Sequence, residues 1–175
     1  MQKLLKSTSV VLLGAGRPHQ GNIPSSLQRT PDSRLVLDWI VDAFTNLSPK
    51  LHFVGGYHIE KIVEKFSNLN YSINPEWQTT NTAESLFSAP LNEHVQHFIA
   101  YTDITFSRDV VQKIDRAKGD VILAIDSKWR SRYEGRTKKD IEIAEKLMVA
   151  NGKALALGSL VTEANATAEF CGLVK

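Results

Sequence analysis

Four consecutive apolar residues, Val10-Val11-Leu12-Leu13, run straight into Gly14. A continuous, β-branched apolar run stopped by glycine is the pattern of a parallel strand buried on both faces. Residues 17–33 then lose all period and are rich in Pro, Gly and Ser, which predicts a long loop of functional or disordered type. From Leu35 the period changes: Leu35, Val36, Trp39, Ile40 and Ala43 share one helical face, with Asp32 or Ser33 placed to cap it. The same alternation recurs downstream. Residues 51–54 predict a second strand closed by Gly55-Gly56, and Ile59, Ile62, Val63 and Phe66 predict a helix over 58–66. A short third strand is expected at 70–73 and a helix at 82–88, ended by Pro90. A fourth strand at 97–100, a helix at 109–117 and a fifth strand at 121–125 complete the series.

After Thr137 two patterns overlap. Ile141, Ala144, Glu145 and Met148 fit a helix face. Asn151-Gly152, between apolar runs at 147–149 and 154–157, is a hairpin signal, because both residues tolerate positive φ. The hairpin is the preferred reading, and residues 170–174 form a last strand. Strand and helix alternate over the first two-thirds. This predicts an α/β fold, a Rossmann-like, mostly parallel sheet flanked by helices, with a late β-hairpin. With no repeat and no interior linker, one domain over 1–175 is expected.

Composition narrows the class. The 175 residues are 42% hydrophobic and 23% charged, with three Trp, four Tyr and seven Phe, which excludes a disordered chain. No apolar run approaches the roughly 20 residues that span a membrane. The charged start with Lys3 and Lys6 precedes an apolar run too short for a signal peptide. The single cysteine, Cys171, cannot form an internal disulfide, which fits a reducing cytoplasm. Five histidines and one cysteine without ligand spacing argue against structural zinc. A net charge of +2 does not by itself point to nucleic acid. Local charge says more: Lys128, Arg130, Arg132, Arg136, Lys138 and Lys139 cluster, opposed only by Glu134. They read as a solvated charged loop or as a rim for an anionic acceptor, and Trp129 and Tyr133 beside them favour contacts.

Gly14-Ala15-Gly16-Arg17 directly follows the first strand. Glycines let backbone N–H groups approach an anion, and Arg17 adds a fork of donors suited to phosphate. The alternative is a plain tight turn. A dinucleotide site is disfavoured: the third glycine is missing, Arg17-Pro18-His19 starts a loop, and Gly55, not an acid, ends the second strand. Asp103, just past the fourth strand, has the position and chemistry for Mg²⁺, or it caps a turn through its side chain. Asp126 after the fifth strand either joins the site or pairs with the basic run.

Residues 10–17, then Pro24-Ser25-Ser26-Leu27, then Arg34-Leu35-Val36-Leu37-Asp38-Trp39, resemble the opening of the sugar-phosphate and phosphocholine nucleotidyltransferases, a family with a nucleotide-diphospho-sugar transferase-like, MobA-like fold. Asn74-Pro75-Glu76-Trp77 with Thr80-Asn81-Thr82-Ala83-Glu84-Ser85-Leu86 is similar to the second signature of the choline-phosphate cytidylyltransferase branch. Asp126, Trp129, Tyr133 and Arg136 resemble nucleotidyltransferase domains associated with phosphonate biosynthesis. Glu169-Phe170-Cys171-Gly172-Leu173 is similar to the later strand that such enzymes place near the acceptor.

The resemblance implies a Mg²⁺-dependent cytidylyltransferase that moves CMP from CTP to a small phosphorylated or phosphonylated acceptor. Leu13, Gly14, Ala15, Gly16 and Arg17 would wrap the triphosphate. Asn81, Thr82 and Ser85 would lie near base and ribose, although Asn81 serves equally as a helix cap. Asp103 would bind the metal, and Arg17 and Asp103 would be the catalytic pair. Asp126, Arg130, Arg136 and Glu169 would face the acceptor. Two departures stand out. Ser25 occupies the place where the family carries a phosphate-neutralising lysine, so transition-state charge loses a partner. The family domain also continues beyond the point matching Lys175, so a C-terminally incomplete domain is expected. A non-catalytic nucleotide-binding module is the second reading. A scaffold or homo-oligomer that pairs through an open sheet edge is the third.

Overall fold

The computed structural model describes residues 7–175. Residues 1–6, read above as a charged lead-in, lie outside the described residues. The chain forms two compact units: the first runs to Ile122 and takes in Val174–Lys175, and the second is Leu123–Leu173.

In the first unit, β1 (Thr8–Gly14), β2 (Lys50–Gly55), β3 (Asn70–Ile73) and β4 (Gln96–Tyr101) are all parallel, in the order β3-β2-β1-β4. β1 therefore lies between two neighbours, which is why its apolar run is unbroken: Val10, Val11 and Leu12 are at most 1% exposed. Helices α1 (Val36–Phe44), α2 (Ile59–Lys65), α3 (Thr82–Phe87) and α4 (Arg108–Arg116) connect the strands. On one face Val11, Leu13, Val54 and Ala89 pack with Leu86 of α3. On the other, Phe44 of α1 meets Phe98 of β4 edge-on at 5.4 Å and Phe106 at 5.7 Å. Such aromatic pairs add about 0.5–1.5 kcal/mol beyond their burial.

Two local expectations are corrected. Neither Asp32 nor Ser33 caps α1. The Asp32 carboxylate accepts from Thr30 Oγ1 at 2.5 Å, and Ser33 takes a positive φ of 67°. The capping carboxylate belongs to Asp38, which accepts from the Leu35 amide at 3.2 Å. The buried face runs through Leu37, Ile40, Ala43 and Phe44. Trp39 sits at its edge because its indole N–H needs an acceptor, and it donates to Thr30 Oγ1 at 3.2 Å. The fifth strand also starts later than expected. Ile122 exchanges backbone hydrogen bonds with Lys175 at 2.8 and 2.9 Å, both inside the first unit, and Val121 is exposed.

The second unit holds β5 (Leu123–Asp126), α5 (Lys138–Ile143), β6 (Lys146–Ala150), β7 (Lys153–Leu157) and most of β8 (Ala168–Val174). β6 pairs antiparallel with both β7 and β8, and β5 pairs with β8. Asn151 (φ 51°) and Gly152 (φ 71°) turn the hairpin as their residue types demand. The hairpin is realised; the helix face read through Ile141, Ala144, Glu145 and Met148 is not, because the helix ends at Ile143 and Met148 lies in β6. A short helix begins at a capping box in which Thr137 and Asp140 bond each other's backbone amides, and the hairpin follows it. Trp129, 1% exposed, packs with Val161 and Ala166 as this unit's core. The chain is thus α/β, with a mixture of parallel and antiparallel strand pairing and flanking helices.

Candidate functional site

β1 and β4 run side by side and end together. Leu13 is opposite Tyr101, so Gly14 opens its turn where Thr102 and Asp103 leave β4. Thr102 is 4% exposed, and its hydroxyl donates to the Leu13 carbonyl at 3.1 Å. Asp103 is exposed, and its carboxylate has no hydrogen-bond or ion-pair partner among the described residues. The fold brings Gly14–Arg17 and Asp103 to one carboxyl-end edge, the place where open parallel sheets take ligands.

The two glycines of the turn serve different purposes. A Cβ on Gly14 would lie 2.3 Å from the Phe53 ring and 2.7 Å from Thr102 Oγ1, so packing requires glycine there. A Cβ on Gly16 would meet nothing within 4 Å. Gly16 and Arg17 are exposed, whereas Ala15 is buried and its carbonyl accepts from the Tyr57 amide at 2.9 Å. Arg17 donates to Asn22 Oδ1 at 3.1 Å, and its guanidinium lies 5.7 Å from the centroid of the Tyr57 ring. Sequence reasoning missed Tyr57. The available signal was the Gly55-Gly56 doublet: a Cβ on Gly56 would lie 2.7 Å from the Ala15 carbonyl and 2.6 Å from the Trp77 ring, a close approach of two backbones.

Asn81 Oδ1 accepts from the amides of Ala83 (2.9 Å) and Glu84 (3.1 Å), which makes it the N-cap of α3. Thr82 is exposed. Ser85 is buried and accepts from Asn74 Nδ2 at 3.0 Å. That buried amide also donates to Thr80 Oγ1 at 2.9 Å and accepts from the Glu76 amide at 3.0 Å, a hub the sequence reading did not single out. In the long loop, Ser25 is half-buried at the start of a 3₁₀ turn, Ser25–Leu27. Neither nearby arginine is idle. Arg29 donates to the Ser33 carbonyl, and Arg34 lies over Trp39 at 4.3 Å and donates to the Asp38 carbonyl at 3.3 Å. His19 is exposed.

In the second unit the acceptor candidates form a tied network. Arg132 bridges Asp126 (Nε to Oδ2, 2.8 Å) and Glu169. Asp126 also accepts from the Lys128 amide at 2.8 Å. Tyr133 donates to Glu169 Oε1 at 2.5 Å, and burial together with that carboxylate pushes its phenol up to about 12. Arg130 stacks over Trp129 at 4.7 Å and Arg136 over Tyr133 at 5.3 Å. Burial raises the Cys171 thiol above its ordinary range, which keeps it a poor nucleophile. Among the described residues no three or more His, Cys, Asp or Glu side chains form a metal-holding group, and no helix is long and apolar enough to cross a membrane.

Comparison with known proteins gives a consistent outcome. No family model matches the chain. Over 157 residues, 82% of its length, it is 27% identical to the CTP:phosphoglutamine cytidylyltransferase of Campylobacter jejuni, and it spans 61% of that relative's length. Its fold is similar to the inositol-1-phosphate CTP transferase of T. maritima, with a TM-score of 0.72 at 16% identity over 97% of this chain and 70% of that one. It is also similar to the CTP:phosphocholine cytidylyltransferase of Streptococcus pneumoniae, with a TM-score of 0.61 at 13% identity over 96% and 70% of the two chains. Sequence and fold agree: the chain is similar to cytidylyltransferases of the nucleotidyltransferase (NTP-transferase) family and shares their fold.

Proposed function

We propose that the chain is a Mg²⁺-dependent cytidylyltransferase, which transfers CMP from CTP to a small phosphorylated or phosphonylated acceptor and releases pyrophosphate. The observation that carries this reading is the β1–β4 register: the end of one strand offers exposed Gly16 and Arg17, and the end of its neighbour offers a partnerless Asp103. The sequence relative, whose name specifies CTP, supports the choice of base.

In this reading the turn amides and the Arg17 fork hold the triphosphate. Asp103 is a fitting ligand for Mg²⁺: its carboxylate is free and exposed, and water and phosphate oxygens complete a shell that needs few protein donors. The bound ion would neutralise charge on the phosphates. Thr82 is exposed beside the cap made by Asn81 and the buried Ser85, and would lie near base and ribose. Arg130 and Arg136, stacked but exposed, would meet the acceptor's anionic group, with Asp126 and Glu169 fixing Arg132 between them. The acceptor oxyanion attacks the α-phosphorus; a new P–O bond forms as the α–β bridge breaks, and that electron pair leaves on pyrophosphate. Positioning and charge neutralisation dominate such a step. Titration calorimetry with CTP and Mg²⁺ tests the assignment. Binding that needs the metal and falls sharply in Asp103→Asn supports it, whereas no heat and no melting shift overturns it.

A second reading is nucleotide binding without turnover. Ser25 offers no charge where the family carries lysine, and Arg29 and Arg34 are engaged within their own loop and α1. Pyrophosphate release across a panel of phosphorylated acceptors separates the two readings.

A further inference from the structure

Arg17 is on a loop, and an unrestrained arginine on a loop is a costly phosphate ligand, because its rotamer freedom is lost on binding. Here it is restrained from three sides. Tyr57 donates its amide to the Ala15 carbonyl at 2.9 Å, two residues before Arg17. Its ring lies under the guanidinium at 5.7 Å, and its hydroxyl reaches the Asn22 carbonyl at 3.4 Å, while Asn22 Oδ1 accepts from Arg17 itself. The ring cannot swing away freely. Trp77 meets it edge-on at 5.4 Å, and His58 does so at 4.2 Å from the other neighbour position. Gly56 must be glycine for Trp77 and Ala15 to approach this closely.

We propose that Tyr57 is a positioning residue for the polyphosphate: an aromatic platform, braced by Trp77, that holds the Arg17 guanidinium ready at the mouth of the glycine turn. The platform acts through Arg17 and touches no reacting atom. It rests on the reading of this edge as the CTP site. Its ligand class is correspondingly narrow. The benefit should scale with the phosphates that Arg17 meets and vanish for a nucleoside.

The test is a double-mutant cycle on the full chain, with CTP·Mg²⁺ affinity as the readout. Tyr57→Leu should weaken binding about two- to fivefold, the range of a cation–π contact at an exposed site. Tyr57→Phe, which keeps the ring and loses only the hydroxyl's reach to the Asn22 carbonyl, should fall between wild type and Tyr57→Leu. In an Arg17→Gln background Tyr57→Leu should cost nothing further, and cytidine affinity should not change in any variant. A merely structural tyrosine would instead give additive losses that include cytidine, and that result overturns the proposal. Should Tyr57→Leu fail to fold, Tyr57→His, with a flat but weaker face, takes its place in the cycle under the same criteria. If the wild-type chain binds no CTP·Mg²⁺, the site assignment falls and takes this inference with it. If wild type binds and Tyr57→Leu binds equally well, only the platform is refuted.

Discussion

The Thr102 hydroxyl donates to the carbonyl of Leu13, 89 positions away, and thereby ties the residue before Asp103 to the strand end before the glycine turn. In Thr102→Val a buried carbonyl loses its side-chain donor while volume is nearly kept. Stability should fall by about 1–2 kcal/mol, read from denaturant midpoints. Affinity for CTP·Mg²⁺ should fall as well, because the two halves of the edge lose their tie.

Gly14 and Gly16 can be told apart by one methyl group. Gly14→Ala drives a Cβ into Phe53 and Thr102 and should destabilise by about 1–3 kcal/mol. Gly16→Ala meets open space, so its stability should stay within about 0.5 kcal/mol of wild type. Its CTP affinity should nonetheless drop about tenfold, the scale of one lost charged hydrogen bond. Melting curves and calorimetry on the two variants check both halves.

Asn81 offers a clean separation of cap from contact. Asn81→Ala should cost about 1 kcal/mol through loss of the α3 cap. Asn81→Asp keeps an acceptor oxygen and should restore stability. CTP affinity that also returns in Asn81→Asp would assign the residue to the helix; affinity that stays low would mean that the carboxamide itself meets the nucleotide.

Tyr133 predicts a particular alkaline behaviour. Its phenol is raised from 10.0 to about 12 by burial and then by Glu169. The folded form therefore holds its proton more tightly than the unfolded form. That contribution is complete below pH 10 and is lost as pH climbs towards 12. Ultraviolet titration should find a late tyrosinate that disappears in Tyr133→Phe, alongside Tyr71, whose phenol burial also raises, and the variant should lose less stability across that alkaline window.

The parallel sheet was legible because burial on both faces leaves no room for polar residues in runs such as Val10 to Leu13, and glycine marks where each run stops. The turn and Asp103 were legible for the same reason, as each follows such a strand. Side-chain partnerships were not legible. Arg17 on Tyr57 and Arg132 between Asp126 and Glu169 join residues whose separation no local period encodes. The cap of α1 was misassigned because Asp32 and Asp38 have identical chemistry; Asp32 is drawn to Thr30, and Asp38 takes the Leu35 amide. Asn81 was ambiguous for a related reason: the oxygen that caps a helix is equally good for a ribose.

The pairing of β1 with β4 has a kinetic corollary. The edge that joins the glycine turn to Asp103 exists only after the chain has closed a circuit of nearly ninety residues, and closures of that span are slow relative to local helix formation. Competence for CTP should therefore emerge late in refolding, after most helical signal has returned. A tightly held nucleotide would then act as a latch, slowing reopening of the circuit it can recognise only when closed.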